Sequence, residues 1–149
     1  MRLHVARGDR LSAAELHALL RLRAEVFVVE QACPYLDIDG LDLLPGTTHL
    51  WLAPPADPLL PACALRILAP APPAAEAWRI GRVVTRPRER RRGLAASLVR
   101  DAIPRAGRPL RIGAQARLEA WYAGLGFTRD GDDYDEDGMA HVPMRFAGE

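Results

Sequence analysis

The chain has 149 residues, 26% of them charged and 49% hydrophobic, with a formal net charge of +1. That suffices for one domain, residues 1–149, around a single core, and the charge is too balanced for bulk polyanion binding. Two cysteines without a C-x-x-C pair exclude a disulfide framework, and no apolar run approaches the roughly 18 to 20 residues of a membrane span.

Met1-Arg2-Leu3-His4 opens without an apolar segment, so no secretory leader is expected and a cytoplasmic location is the default. All 20 basic residues are Arg, which together with the Ala and Pro content reflects the codon bias of a GC-rich genome rather than site chemistry. The charges are segregated. Arg79 to Arg111 holds eleven Arg against Glu89 and Asp101, a net of +9. Glu30 to Asp42 has a net of −4, and Thr128 to His141 a net of −5 with His neutral. An anionic ligand on one side and a cationic one on the other fit this pattern.

In chain order, Leu3 to Ala6 reads as a short first strand. Ser12-Ala13-Ala14-Glu15 is a capping box before Leu16, Leu19, Leu20, Leu22, Val26 and Phe27 at helical spacing, which predicts a helix over about 13–29. Asp37 to Gly46 is loop. Thr47 to Ala53 and Ala62 to Leu68, with a Pro-rich turn between them, predict a hairpin. Trp78 to Thr85 is the next strand, followed by a basic loop and a helix to about Ile103. Leu110 to Ala114 is a short strand, and Leu118 to Leu125 is a helix stopped by Gly126. Two more strands follow Phe127, around the acidic turn Asp135-Glu136-Asp137-Gly138. The order is β α β β β α β α β β, an α/β (α+β) chain.

The basic loop Pro87-Arg88-Glu89-Arg90-Arg91-Arg92-Gly93-Leu94-Ala95 carries the most information. Arginines at a helix start oppose the helix dipole, so a cluster of them there calls for a bound polyanion. A strand that turns through a Gly-containing loop into a helix offers that anion unpaired N–H groups, and Gly93 brings no Cβ into the approach. Neither the P-loop pattern nor G-x-G-x-x-G is present.

Arg90-Arg91-Arg92-Gly93-Leu94-Ala95 fits R-x-x-G-x-A and resembles the pyrophosphate signature of the GCN5-related N-acetyltransferases (GNAT). Trp121-Tyr122-Ala123-Gly124-Leu125-Gly126-Phe127 is similar to that family's F-Y-x-x-x-G-F segment. Val26 to Gly40, Ile80 to Val83, Gly113-Ala114-Gln115-Ala116 and Glu136 to His141 resemble the ElaA-type subgroup. The resemblance covers nearly the whole chain. It implies the GNAT acyl-CoA N-acyltransferase fold, a mixed, mostly antiparallel sheet flanked by helices, with acetyl-CoA as co-substrate and an amine of a small molecule or peptide as acceptor.

It also implies cofactor contacts from Val83, Val84 and Thr85 through the backbone, from Arg90, Arg91, Arg92, Gly93, Leu94 and Ala95, and from Gln115 and Tyr122. Tyr122 is the expected general acid, since a phenol with a pKa of about 10 suits a thiolate leaving group. The general base stays open. Strand Trp78 to Thr85 lacks a carboxylate, which leaves His141, Glu30 and His49 as candidates for substrate or proton-relay roles.

Asp37 and Asp39 before Gly40, with Asp42 after it, resemble a calcium loop, but the Glu that completes such a loop is missing, so no metal is expected. Cys33 before Pro34 and Cys63 within a strand read as structural. Two other function classes are compatible with parts of the pattern. One is a non-catalytic acyl-CoA-binding regulatory module. The other is a nucleic-acid binder through Arg86 to Arg92, for which aromatic stacking partners are missing. No nucleic acid, membrane or metal partner is expected. The oligomeric state, a homodimer included, is left open.

Overall fold

The computed structural model describes residues 1–73 and 75–148. Strand β1 (Arg2–Arg7) leads to helix α1 (Ala13–Arg23), whose N-terminus is closed by the expected reciprocal capping box of Ser12 and Glu15. The same helix runs on as a π-helical stretch, Ala24–Glu30. Strands β2 (Thr47–Ala53), β3 (Cys63–Leu68) and β4 (Trp78–Thr85) follow, then helix α2 (Leu94–Ala102), β5 (Leu110–Gln115), α3 (Glu119–Ala123), β6 (Phe127–Arg129), β7 (Tyr134–Glu136) and β8 (Met139–Phe146). After Phe127 there are thus three strands where the sequence pattern gives two. Tyr134–Glu136 is short and has no buried residue, so it carries no apolar alternation to announce it.

The strands form one mixed sheet in the order β1-β2-β3-β4-β5-β8-β6, with β7 also on β8. Every pairing is antiparallel except β4 with β5. Period-two alternation on β2 sends Leu50 and Leu52 to one face and Trp51 and Ala53 to the other. The first face packs on α2 through Leu98, Val99 and Ala102, and on α3 through Tyr122. The second packs on α1 through Leu19, Leu22 and Val26. Helices therefore cover both faces of the sheet.

Two irregularities in β4 position the site. First, β4 pairs with β5 only at Trp78–Leu110 and Arg79–Arg111, so beyond Arg79 the two parallel strands part and a cleft opens. Second, the β3–β4 register slips by one residue between Ala64–Val84 and Arg66–Gly81. Arg82 and Val83 together stand opposite Leu65, which makes a β-bulge, and Arg82 takes a left-handed φ of 53°.

Candidate active site

The cleft between β4 and β5 gathers most of the sequence-predicted residues. Val83, Val84 and Thr85 form its β4 edge past the bulge. The Val84 side chain is buried against α1, and Val83 packs toward the α2 side. Their backbones lack the β5 ladder partner that they would have in a regular sheet.

The chain then turns through Pro87–Glu89 into the N-terminus of α2. Gly93 is the residue just before that helix, at φ 72°, and no side chain caps it among the described residues. A Cβ at Gly93 would meet nothing within 4 Å, so space is not what the glycine provides here. It provides the left-handed turn that leaves the first N–H groups of α2 facing outward. Leu94 and Ala95 anchor that first turn to the core.

The arginines of the loop have different fates. Arg90 donates from Nη1 and Nη2 to the two Glu30 carboxylate oxygens, at 2.6 and 2.7 Å, and from Nε to the Thr85 carbonyl at 3.3 Å. Arg92 pairs with Glu89. Arg88 and Arg91 make no ion pair among the described residues.

Tyr122, on α3, is 6% exposed. Burial, and secondarily the charge of the neighbouring Cys63, push its phenol above the usual value, so it keeps its proton throughout the physiological range. Cys63 is fully buried, and its sulfur accepts from Thr85 Oγ1 at 3.5 Å. Its thiol is pushed up to about 11, chiefly by burial. Cys63 thus links the end of β4 to Tyr122.

The other wall comes from β5, β7 and β8. Gln115 ends β5 opposite His141 of β8. The Tyr134 hydroxyl lies 2.3 Å from where a Gly113 Cβ would stand, which explains the glycine in β5. The His141 ring stacks on Tyr134, its Nδ1 lies 2.8 Å from the Met139 carbonyl, and its Nε2 lies 3.5 Å from Glu136. A short segment spans the cleft. Glu30 holds Arg90 on one side, while on the other Gln115 Nε2 donates to Gln31 Oε1 at 3.4 Å and Cys33 Sγ donates to the Asp137 carbonyl at 3.3 Å.

Glu30 lies on this segment, with its pKa lowered mainly by the hydrogen bonds from Arg90. His49 is not part of the cleft wall. It is buried beside Asp42, with its pKa lowered by burial. Among the described residues no group of three or more His, Cys, Asp and Glu could hold a metal, and no helix is long and apolar enough to cross a membrane.

Sequence reasoning missed the partners of the Asp37 to Asp42 loop. Asp37 binds Arg23 and Arg82, Asp39 binds Arg66 and Arg82, and Asp42 binds Arg23 and Arg66. The acidic loop is therefore neutralised from within and does not stand as an open attractor for a cation. An available signal was the placement of Arg66 inside an otherwise apolar strand, since a buried guanidinium demands carboxylates.

Residues 46–147 match the family described as the acetyltransferase (GNAT) domain. The chain belongs to the GNAT family. A UPF0039 protein of Mycobacterium bovis is 47% identical over 135 residues, which covers 90% of this chain and 85% of that one. Escherichia coli ElaA is 37% identical over 141 residues, 91% of this chain and 90% of that protein. The crystal structure of ElaA superposes with a TM-score of 0.86 and covers 97% of both chains. An acyl-CoA N-acyltransferase of Pseudomonas aeruginosa superposes with a TM-score of 0.87 at 38% identity, over 99% of this chain and 100% of that one. The chain is thus an ElaA-type GNAT protein with the acyl-CoA N-acyltransferase fold.

Proposed function

We propose that this protein transfers an acetyl group from acetyl-CoA directly to a primary amine. The observation that carries this reading is the β4–β5 splay, with its bulge at Arg82–Val83, leading into the uncapped α2 N-terminus at Gly93. An unpaired strand edge suits an extended pantetheine, and a helix N-terminus suits a pyrophosphate. The backbone N–H groups near Val83 and Val84 are the oxyanion donors in this scheme, and such a donor is worth roughly 3 kcal/mol. The amine nitrogen bonds to the carbonyl carbon, the C–S bond breaks, and the leaving thiolate takes the Tyr122 proton. Tyr122 holds a proton to give, although burial raises its pKa and makes it a weaker acid than a free phenol.

His141 is our choice for the proton released by the amine. When Nδ1–H donates to the Met139 carbonyl, Nε2 carries the lone pair that takes the proton, and Glu136, 3.5 Å away, steadies the resulting charge. Glu30 fits this role less well, because Arg90 holds its carboxylate in the charged, weakly basic state. In this scheme Arg91, Gly93, Leu94 and Ala95 serve the pyrophosphate, Arg92 flanks it, and Arg90 braces the loop. Gln115 lies along the far wall. A cationic acceptor is favoured by the acidic β7–β8 turn, where Asp137 makes no ion pair among the described residues.

The test is CoA release measured across amines, polyamines, amino acids and peptides. Tyr122→Phe is expected to lower kcat by about a hundredfold or more while acetyl-CoA still binds. Gly93→Glu is expected to abolish acetyl-CoA binding in calorimetry by bulk and negative charge, while the domain stays folded: the Cβ enters open space, and the left-handed φ costs an L-residue only about 1–2 kcal/mol. Tight binding by that variant would place the pyrophosphate elsewhere. A complete panel without acetylation, with binding intact, would make the protein an acyl-CoA-binding module instead.

A further inference from the structure

The bulge residue Arg82 has a backbone that suits glycine and a side chain that does not. At φ 53° an L-residue pays a steric penalty that glycine avoids. The position is nonetheless Arg, and its side chain is heavily engaged. Nε donates to Asp37 Oδ1 at 2.8 Å, and Nη2 donates to the Asp37 carbonyl at 3.2 Å and to Asp39 Oδ2 at 3.4 Å. The guanidinium also lies over the Tyr35 ring, 5.7 Å from its centre, and the Tyr35 hydroxyl donates to Asp37 Oδ1 at 2.7 Å.

The anchor is itself fixed. Arg23, in the last turn of α1 and 2% exposed, donates from Nε to Asp37 Oδ2 at 2.9 Å and from Nη2 to the Asp37 carbonyl at 3.1 Å. Arg66 of β3 holds Asp39 and Asp42. On the β5 side, by contrast, β4 has no ladder partner past Arg79. The bulge backbone is therefore held from two directions, by β3 through the ladder and by the Asp37 loop through one side chain.

We propose that Arg82, anchored through Asp37, is a positioning residue that fixes the backbone N–H of the bulge as a donor to the thioester carbonyl. This rests on the reading of β4 as the thioester-binding edge. The same contacts explain why Arg occupies a glycine-like position: the side-chain bonds offset the strain of the turn.

The experiment uses the whole chain with acetyl-CoA labelled with carbon-13 at the carbonyl, so that no acceptor is needed. The infrared carbonyl stretch reports the hydrogen bond to the thioester, calorimetry reports the dissociation constant, and CoA release by hydrolysis of acetyl-CoA to acetate gives a rate. The stretch is expected to lie lower in the wild-type complex than in water. Arg82→Gly, which relieves the backbone and removes the anchor, is expected to return it toward the solution value. The hydrolysis rate is then expected to fall about ten- to a hundredfold, while the dissociation constant stays within about threefold. Arg82→Lys keeps the charge but loses the fork, and is expected to fall between the two. Should Arg82→Gly fail to fold, Arg82→Lys carries the test alone, because Arg23 keeps its Asp37 partner in that variant.

A variant that binds acetyl-CoA with a wild-type carbonyl stretch overturns the positioning role and leaves the proposed function standing. A wild-type protein that does not bind acetyl-CoA overturns both.

Discussion

The chain holds two acidic stretches of similar charge, and the fold treats them in opposite ways. In residues 30–42 every carboxylate is claimed by an arginine: Glu30 by Arg90, and Asp37, Asp39 and Asp42 by Arg23, Arg66 and Arg82. Most of that network is buried. In residues 128–141 the pairs lie at the surface, Asp135 is occupied with the Gly138 N–H, and Asp132 and Asp137 have no ion pair among the described residues. Similar net charges thus give a braced strut in one place and an open field in the other. What separates them is whether tertiary structure delivers buried cations.

The sharpest way to break this contrast is to remove one acid from each stretch. Asp42→Ala strips a shared carboxylate from Arg23 and Arg66, which are 2% and 3% exposed. Leaving buried charges without their partner typically costs about 3–5 kcal/mol. Asp133→Ala loses an exposed pair with Arg129 and is expected to cost less than about 1 kcal/mol. Urea unfolding midpoints measure both, and equal losses would abolish the distinction.

Acid offers the next largest effect. Burial acts to raise the Asp39 pKa, but the hydrogen bonds from Arg66 and the Leu41 N–H, together with the arginine charges, hold it down at about 2. Asp42 is also held low against its own burial, by Arg23 and Arg66. A carboxylate depressed by folding adds stability above its unfolded pKa, and that stability is lost as pH falls through the folded value. His49, lowered by burial, acts in the same direction, because the unfolded chain takes up its proton first. Stability is therefore expected to decline as pH drops below about 6.5 and to fall more steeply from about 4 to 2. Urea midpoints across that range would show it, and Asp42→Ala should flatten the lower part of the curve.

The same contrast explains what was legible in the sequence. Local signals carried far: the capping box at Ser12 and Glu15, the hairpin of β2 and β3, and the Arg90 to Ala95 signature all depend on neighbouring residues. The fold class followed from their order. The Asp37 to Asp42 network was not legible, because its partners lie 14 to 45 residues away. The π-helical end of α1 and the left-handed Arg82 were hidden for a related reason. Both are distortions that tertiary contacts impose on residues with ordinary propensities. Tyr122 stood out by its motif, whereas Cys63 joins the candidate site only through the placement of β3 beside β4.

The smallest expected effect probes the open stretch. If its free carboxylates attract a cationic acceptor, Asp132→Asn with Asp137→Asn should leave the unfolding free energy within about 0.5 kcal/mol of wild type, since neither group has an ion pair to lose among the described residues. The KM for a polyamine should rise several-fold with kcat unchanged, because the lost attraction is the same in the ground and transition states. Salt should mimic the substitution in the wild type and do little in the variant, since exposed charges are screened over about 8 Å at physiological ionic strength. A KM that ignores both the substitutions and the salt would remove this turn from acceptor recognition. The choice of acceptor would then rest on the uncharged wall of Gln31, Gln115 and Tyr134.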